Sequence, residues 1–353
     1  MKKTAKILLC YNPPVSVYSI YTGKPIKDSK LRDDTSEVGF SNELNKIKRS
    51  LQKYFTSVKT LPIERDVVKT INQINSFSPD IIYNLVESVE GISSYEYCLT
   101  GVFELLGYHY TGNIPSCLGN CLNKARTKNI LRSFGLKVPA DLILKHNEKL
   151  KEEDFNLKFP VIMKLLNEDA SIGISEFSVV KNFKELKKHL KFLYETYRQD
   201  IIIEEYIDGK ELNVAILDEK VLPISEIKFD GLPENLPKIV TYEGKWMDGS
   251  VYYEHTKPKC PAQLGKNTKA KVEKTAMLAF KSMNCRDYAR VDIRLSKKGV
   301  PYIIEVNPNP DITTDSGFAR AAKAAKINHD KLLAVIAELA LSRLRNDKKN
   351  KAV

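Results

Sequence analysis

The chain has 353 residues, of which 42% are hydrophobic and 28% charged, so it is long enough for two or three globular domains and is unlike a disordered or fibrous protein. Its formal net charge of +12 is spread over every region and favours anionic ligands. Because no basic stripe interleaved with aromatic residues and no nucleic-acid motif accompanies this charge, we do not expect nucleic acid as a partner.

The first residues imitate the basic start of a signal peptide, but the apolar run at 7–10 is too short for a secretory segment. It is better interpreted as a first β-strand. No other run is long enough to span a bilayer. The six cysteines are scattered. Cys117 and Cys121 are four residues apart but complete no zinc-binding set, so these two are expected to be small buried thiols. We therefore expect a cytoplasmic protein that does not contact membranes.

Strands and helices alternate through the first hundred residues. Hydrophobic spacing predicts strands at 6–11, 57–61 and 81–86 and helices at 37–55, 67–77 and 95–106. The last of these helices would end at Gly107, since glycine is a common helix-terminating residue. This rhythm implies a parallel sheet covered by helices. The polar stretch at 18–36 is predicted to be a long loop.

The pattern changes near residue 114. A helix at 123–134 precedes predicted strands at 138–144 and 161–165, which a charged connector separates. A small-residue loop at 169–174 leads into another strand, and a helix follows at 183–197. From residue 201 the chain is rich in strands until it closes with three helices, at 268–283, 317–325 and 329–344.

Two short β-rich segments near the C-terminus carry the most informative polar residues. Asp292 follows Arg290 by two residues, and Asn307 follows Glu305 by the same spacing. Because side chains alternate along a strand, the members of each pair share a face. If the two strands pair, three oxygen ligands of the kind that magnesium prefers converge beside an arginine. We interpret this as a magnesium–nucleotide site. The alternative is a polar sheet face that meets water.

Several segments carry a family resemblance in their order and spacing: residues 159–164 with the loop to Gly173, 203–211, 290–292, 305–307 and 319–327. They resemble the ATP-grasp ligases, most closely the D-alanine–D-alanine ligase group. The resemblance implies an α/β protein with a three-domain ATP-grasp fold. An N-terminal Rossmann-like parallel-sheet domain at 1–113 would precede two α+β domains that clamp ATP, at 114–200 and 201–345, and a basic tail at 346–353.

The resemblance also implies which residues contact ATP. They are Lys124 and Lys164 at the phosphates, Ser171 and Gly173 in a loop of backbone N–H groups, Glu204, Glu205, Tyr206 and Ile207 around the adenine, and Glu211 at the ribose. Plainer alternatives exist, because most lysines are solvated and a loop with one glycine is commonly a surface turn. ATP and magnesium are the implied cofactors, and manganese could replace magnesium.

By the same resemblance, Asp292, Glu305 and Asn307 would bind magnesium between the β- and γ-phosphates. Arg290 and Lys245 would stabilise the charge that develops during transfer, although an arginine on a strand can also be a structural ion pair. Residues 242–255 would cover ATP as a mobile lid.

The implied reaction activates a carboxylate with the γ-phosphate of ATP, giving an acylphosphate and ADP. An amine then attacks, which forms an amide or peptide bond. The substrates would be amino acids or small peptides. Dimers are usual in the family, so the resemblance suggests a homodimer.

The match breaks down at the substrate end, where residues 11–14 replace a glycine-rich turn. Glu37 would meet the ammonium of the first substrate, but Ala170 and Trp246 stand where the family pairs that acid with a serine and a tyrosine. Ser316 keeps its family identity and would meet the carboxylate of the acceptor.

Acids replace other family residues at this end. Asp311 replaces a glycine that donates its N–H to the oxyanion, Glu87 and Asp315 replace histidines, and Glu90 lies close by. These acids suit a cationic substrate, and the alternative is that they only face solvent. The resulting hypothesis is a D-alanine–D-alanine ligase-like enzyme with altered substrates. A true D-alanine–D-alanine ligase of peptidoglycan synthesis and a non-catalytic ATP-binding regulatory protein are the alternatives.

Overall fold

The computed structural model describes residues 2–13 and 40–350. Its N-terminal part is a parallel three-stranded sheet of order β2-β1-β3, formed by β1 (Lys3–Tyr11), β2 (Phe55–Pro62) and β3 (Ile81–Leu85). Helices cover it, namely α1 (Phe40–Gln52), α2 (Val67–Phe77) and α3 (Tyr95–Leu105). Residues 7–10 of β1 are all buried, because a parallel sheet with covered faces needs a continuous apolar strand.

The central part is an antiparallel sheet of order β4-β7-β5-β6. Its strands are β4 (Asp141–Leu144), β5 (Val161–Leu165), β6 (Val179–Val180) and β7 (Ile201–Glu205), and α4 (Pro115–Leu122) and α5 (Lys124–Ser133) precede them. The amphipathic helix α6 (Phe183–Tyr197) buries Leu186, Leu190 and Leu193 against this sheet. Asn123 caps α5 by accepting a hydrogen bond from the backbone N–H of Arg126, which places Lys124 in the first helical turn.

The third part is a six-stranded antiparallel sheet of order β11-β10-β8-β12-β13, with β9 on β8. The strands are β8 (Gly209–Leu217), β9 (Lys220–Val221), β10 (Ser225–Lys228), β11 (Lys257–Lys259), β12 (Tyr288–Ser296) and β13 (Pro301–Asn307). Between β10 and β11 lie two one-turn helices, α7 (Tyr242–Trp246) and α8 (Val251–His255). Helix α9 (Lys266–Ser282) packs on the sheet through Val272, Ala276 and Phe280.

The last two helices are α10 (Gly317–Ala324) and α11 (His329–Asn350). Leu332, Leu333 and Ile336 of α11 share one hydrophobic core with Ile7 and Leu9 of the N-terminal sheet. The end of the chain therefore returns to its first domain, and this brings the loop after β13 close to the end of β3.

The α/β fold class predicted from the sequence is confirmed, and helices α2 and α6 have the predicted bounds. The helix predicted at 37–55 is wrong at its C-terminal end, because Phe55 is a buried residue of β2. Helices α4, α7 and α8 were not predicted, and α11 continues through Asn350 into the predicted tail. The domain boundaries at 114, 201 and 346 stay a prediction.

Two other predictions fall on residues outside the described part of the chain. Glu37 and the loop predicted at 18–36 lie outside the described residues.

Cys117 and Cys121 are buried thiols, as expected, and the sulfur of Cys285 lies 3.5 Å from that of Cys117. Among the helices of residues 2–13 and 40–350, none combines the length and hydrophobicity that a membrane crossing requires.

Candidate nucleotide and metal site

Strands β12 and β13 pair in antiparallel register, with Asp292 opposite Glu305 and Arg290 opposite Asn307. Because each pair of residues keeps the same spacing of two, all four side chains lie on one face. The structure thus brings together the four residues that the sequence placed at a metal site. We call this group, with the lysines and acids around it, the nucleotide end.

The Asp292 carboxylate is held by two neighbouring strands. Arg290 donates from Nε to Oδ1 and from Nη2 to Oδ2, at 2.8 Å each. Asn307 donates to Oδ2 at 3.1 Å, and Asn213, which faces Asp292 across the β8–β12 pair, donates to Oδ1 at 2.7 Å. Burial disfavours the guanidinium charge, but Asp292 outweighs it and raises the pKa of Arg290. The fork fixes the orientation of both oxygens.

Glu305 lies between basic side chains. Its Oε1 is 3.3 Å from Nζ of Lys124, which is also 3.3 Å from Oδ1 of Asp169. Burial opposes ionisation of Glu305, but the charges of Lys124, Lys164, Lys245 and Arg290 outweigh it and lower the pKa of Glu305 to about 2. This carboxylate is therefore an anionic oxygen donor at neutral pH.

The donors at this place fit magnesium. Asp292 and Glu305 offer carboxylates and Asn307 an amide oxygen, a hard-oxygen set that leaves coordination positions for water and phosphate. Within the described part of the chain, no three His, Cys, Asp or Glu side chains are grouped so that they could hold a metal ion. Two carboxylates and one amide oxygen make an open set, of the kind that suits an ion shared with a phosphate substrate.

A second buried acid, Glu204 of β7, lies between two lysines. Its carboxylate is 2.9 Å from Nζ of Lys164 and 3.0 Å from Nζ of Lys128. Burial opposes its ionisation, but the two lysines outweigh it and lower the pKa of Glu204 to about 2. Burial lowers the pKa of Lys128 to about 8. Lys128 was not predicted, although its spacing of four from Lys124 places both on one helix face.

Arg294 organises the segment predicted to contact adenine and ribose. It is 4% exposed and donates to a carboxylate oxygen of Glu211 at 3.0 Å, to the carbonyl of Ile207 at 2.9 Å and to the hydroxyl of Tyr206 at 2.7 Å. Burial raises the pKa of Glu211 although Arg294 opposes the shift. Sequence reasoning missed Arg294, but it continues the period-two pattern from Arg290 and Asp292.

The backbone N–H groups of two predicted adenine-site residues are already used. Glu205 donates to the carbonyl of Ala140 and Tyr206 donates to that of Pro160, at 2.9 Å each. The Glu205 carboxylate accepts from the backbone N–H of Lys158. These contacts hold the segment in place, and its role at the adenine stays a prediction.

The predicted phosphate loop and the predicted lid are in contact. Ala170, Ser171 and Gly173 have φ values of +54°, +62° and +76°. The backbone N–H of Tyr242 donates to the carbonyl of Ile174 at 3.1 Å, and Trp246 Nε1 donates to that of Ala170 at 3.3 Å.

Lys245 lies on the same turn of the lid. Burial and the charge of Arg290 lower its pKa, while Glu305, Asp292 and Glu211 oppose the shift. The predicted lid therefore carries a cation that interacts electrostatically with two of the predicted metal ligands, Asp292 and Glu305.

The C-terminal part of the chain, residues 130–338, matches the model of the family described as "D-ala D-ala ligase C-terminus", which is more than half of the chain. D-alanine–D-alanine ligase A of Bacillus cereus is 33% identical over 248 residues, 70% of this chain and 76% of the relative. The chain belongs to the D-alanine–D-alanine ligase family.

Further comparisons agree with this membership. An uncharacterised protein of Sinorhizobium fredii is 32% identical over 266 residues, 74% of each chain. The crystal structure of the D-alanine–D-alanine ligase from Bacillus anthracis complexed with ATP has a TM-score of 0.74 at 24% identity, and covers 98% of this chain and 100% of its own. That of Coxiella burnetii has a TM-score of 0.70 at 17% identity. The fold is thus the predicted ATP-grasp fold.

Family and fold together make the chain an ATP-grasp ligase of the ADP-forming class, as the sequence predicted. This removes the alternative of a non-catalytic regulatory protein. At the two positions where the family has its serine and tyrosine, Ala170 and Trp246 are still in contact, through an indole N–H and a backbone carbonyl.

Some of the residues predicted at the substrate end line a pocket between the C-terminal end of β3 and the loop after β13. Residues that line it include Ile47, Asn84, Glu87, Tyr288, Asp311 and Thr313. The Asp311 carboxylate accepts hydrogen bonds from the N–H and hydroxyl of Thr313. Among the described residues that line the pocket, the charged ones are Glu87 and Asp311, so its charged lining is acidic.

Other residues predicted at this end lie elsewhere or have another contact. Glu90 is exposed and 3.9 Å from Arg65, and Asp315 is exposed beyond the lining of the pocket. Ser316 caps α10 by accepting from the backbone N–H of Ala319 at 3.1 Å. Its contact with an acceptor carboxylate stays a prediction.

Proposed function

We propose that the chain is an ATP- and magnesium-dependent carboxylate–amine ligase that forms an amide or peptide bond through an acylphosphate, with amino-acid or peptide substrates other than two D-alanines. The observation that carries the proposal is the facing of Asp292 and Glu305 across β12 and β13, with Arg290, Lys124 and Lys245 around them.

The metal would be held by Asp292, Glu305 and Asn307, and it would neutralise phosphate charge and align the γ-phosphate for transfer. Lys124 and Lys164 are each paired with an acid in the structure. With Glu305 engaged by the ion, Lys124 would keep its contact with Asp169 and would turn its remaining N–H donors toward a phosphate. Arg290 and Lys245 would then stabilise the negative charge on the transferring phosphoryl group and on the oxyanion that forms when the amine attacks the acylphosphate. Positioned donors of this kind supply most of the catalysis in phosphoryl transfer.

The lid would protect the intermediate. An acylphosphate hydrolyses readily, so the site must exclude water while the amine enters. Residues 242–246 pack on the phosphate loop, and Ile174 of that loop shares a hydrophobic cluster with Leu232, Ile239 and Tyr252. The lid and the loop thus have the packing that a closed site requires.

The altered substrates are proposed from the pocket at the substrate end. Asn84 is 2% exposed, and its Oδ1 accepts from the backbone N–H of Val86, which fixes the orientation of the amide. Its Nδ2 has no hydrogen-bond partner among the described residues. A carboxylate or carbonyl oxygen of a substrate would satisfy this buried N–H donor. With Glu87 and Asp311 in the same lining, the polar groups of this pocket match a substrate that carries both an acceptor oxygen and an extra positive charge.

The second candidate function is a true D-alanine–D-alanine ligase. The 33% identity with the Bacillus cereus enzyme favours it. The two candidates differ in the substrates that stimulate ATP cleavage, because a true ligase needs D-alanine alone.

The test is phosphate release from magnesium-ATP with single and paired amino acids of both configurations, including basic ones and diamines. We expect release with a pair that contains a basic member, confirmed by product mass, and little with D-alanine alone. Release with D-alanine alone, and formation of its dipeptide, would establish the second candidate instead. If no pair stimulates phosphate release, so that the unmodified protein and the Glu305→Gln variant behave alike, both candidate functions are contradicted.

A further inference from the structure

The lid and the phosphate loop meet through two hydrogen bonds at opposite ends of a single helical turn. At the start of α7 the backbone N–H of Tyr242 donates to Ile174, and at its end the indole N–H of Trp246 donates to Ala170. The first bond needs no particular side chain. The second depends on one atom of Trp246, the single tryptophan of the chain.

The loop needs an external contact because its conformation is costly. Ala170 and Ser171 are consecutive residues with a Cβ in the left-handed region, and each costs about 1–3 kcal/mol. Inside the loop, Ile172 donates to Asp169 and Ile174 donates to Ser171. Neither bond involves the carbonyl of Ala170, which is the group that Trp246 holds. The tryptophan therefore binds the loop at the peptide unit between its two strained residues.

Hydrogen bonds and close packing within the lid hold the helical turn that carries Trp246. Thr241 caps α7 by accepting from Gly244 at 3.0 Å, and Ser250 donates to the carbonyl of Glu243 at 3.2 Å. A Cβ at Gly244 would lie 3.3 Å from Cβ of Tyr252, so the turn is closely packed. Lys245 directly precedes Trp246 in this turn, and fixing the indole also fixes the backbone that carries Lys245 beside Glu305.

We propose that Trp246 is a positioning residue for phosphoryl transfer: its indole N–H holds Ala170, and so couples the order of the phosphate loop to the placement of Lys245. The proposal rests on the nucleotide site of the proposed function. It assigns Trp246 no contact with a substrate. It predicts that removal of one N–H group weakens nucleotide binding although every residue that touches the nucleotide is unchanged.

The first test changes that group alone. Because the chain has one tryptophan, biosynthetic replacement by benzothienylalanine exchanges only the indole N–H for sulfur and keeps the shape of the ring. We expect calorimetry to find about 3- to 10-fold weaker binding of a non-hydrolysable ATP analogue with magnesium, the usual effect of one hydrogen bond. Tyr194→Phe is the matched control, since it removes a hydrogen bond to the carbonyl of Lys145, outside both the lid and the phosphate loop, and should change binding less than about twofold.

The second test asks whether the loop is the target. Glycine adopts the left-handed conformation without the Cβ cost, so Ala170→Gly should recover most of the affinity lost in Trp246→Phe. Fluorine NMR of protein labelled with fluorotryptophan gives one resonance. We expect Ala170→Gly to shift it in the nucleotide-free protein, and Tyr194→Phe to leave it in place.

The outcomes separate this inference from the proposed function. If the analogue binds the unmodified protein but the benzothienylalanine protein binds it equally well, the role of Trp246 is overturned. Weaker binding without recovery by Ala170→Gly would also overturn it, because the effect would then not pass through the loop. If the unmodified protein does not bind the analogue, the nucleotide site itself is wrong, and this inference fails with it.

Discussion

The acids Glu204, Asp292 and Glu305 at the nucleotide end are buried or half-buried and are paired with basic side chains, whereas the acids Glu87 and Asp311 at the predicted substrate end are exposed. Glu204 contacts two lysines, Asp292 contacts Arg290, and Glu305 contacts Lys124. Across the pocket, Glu87 and Asp311 are exposed to solvent. Burying a carboxylate without a partner is costly, so the paired arrangement of the first end is constrained as a unit. Exposed acids carry little such constraint.

This difference bears on the departures from the family that the sequence predicts. At the nucleotide end one replacement would leave a buried charge unpaired, so the predicted motif residues are constrained there. At the substrate end a replacement would cost little stability, and Glu87, Asp311 and Asp315 are the residues predicted to differ from the family. The nucleotide chemistry and the substrate choice are therefore separable, and the following variants test this separation from its strongest side to its weakest.

The largest effect is expected from Glu305→Gln. The amide keeps the shape but removes the charge that the metal and Lys124 need, so we expect phosphate release to fall by more than about 10³-fold. The exposed Glu153→Gln is the control and should keep near-normal turnover. Near-normal turnover of Glu305→Gln with unchanged circular dichroism would contradict the metal assignment.

Arg290→Ala should have the next largest effect. Loss of a donor that stabilises transition-state charge costs about 2.7–4 kcal/mol, or roughly 10²–10³-fold in kcat. Arg290→Lys keeps the charge but not the fork that holds Asp292, and should recover only part of the rate. The control is Arg49→Ala on the exposed side of α1. A mild effect of Arg290→Ala on kcat would reduce Arg290 to a structural ion pair.

The sequence predicted the structure correctly where residue spacing within a single strand or helix determines which side chains share a face. The spacing of two between Arg290 and Asp292, and between Glu305 and Asn307, placed each pair on one face, and the pairing of β12 with β13 brought them together. The apolar run of β1 and the helical spacing of α6 were equally direct. In these segments local pattern and tertiary structure agree.

The sequence did not predict contacts between residues that come from different strands and helices. Asn213 reaches Asp292 only through the register of β8 against β12, and Lys128 reaches Glu204 from a helix to a strand. Helices α7 and α8 are too short for a periodic signal and are fixed by capping and by contact with the phosphate loop. The contact between Ala170 and Trp246 could not be predicted, because it uses a backbone carbonyl that no side-chain pattern reveals.

A moderate effect, on stability rather than rate, is expected from Glu204→Gln. The folded pKa of Glu204, about 2, is below its unfolded value, so its contribution is present above about pH 4.5 and is lost as the pH falls toward 2. At about 1.4 kcal/mol per pKa unit, urea unfolding at pH 7 should lose about 3 kcal/mol, and the loss should shrink below pH 4.5. The exposed Glu195→Gln should show neither effect. An equal loss at every pH would contradict the pairing with Lys128 and Lys164.

The smallest effect, and the one that bears most on substrate choice, is expected from Asp311→Asn. Asp311 is exposed and lines the pocket, so its charge should contribute about 0.2–1 kcal/mol to the preference for a basic over a neutral substrate, up to about fivefold in the ratio of kcat/KM. Affinity for the ATP analogue should stay unchanged.

Asp315→Asn is the matched control, because Asp315 is an exposed acid four residues away that does not line the pocket, and it should not change the ratio. Equal shifts in both variants would mean that net charge rather than the pocket selects the substrate. A change in nucleotide affinity in Asp311→Asn alone would mean that the two ends are coupled, and the separation argued above would be wrong.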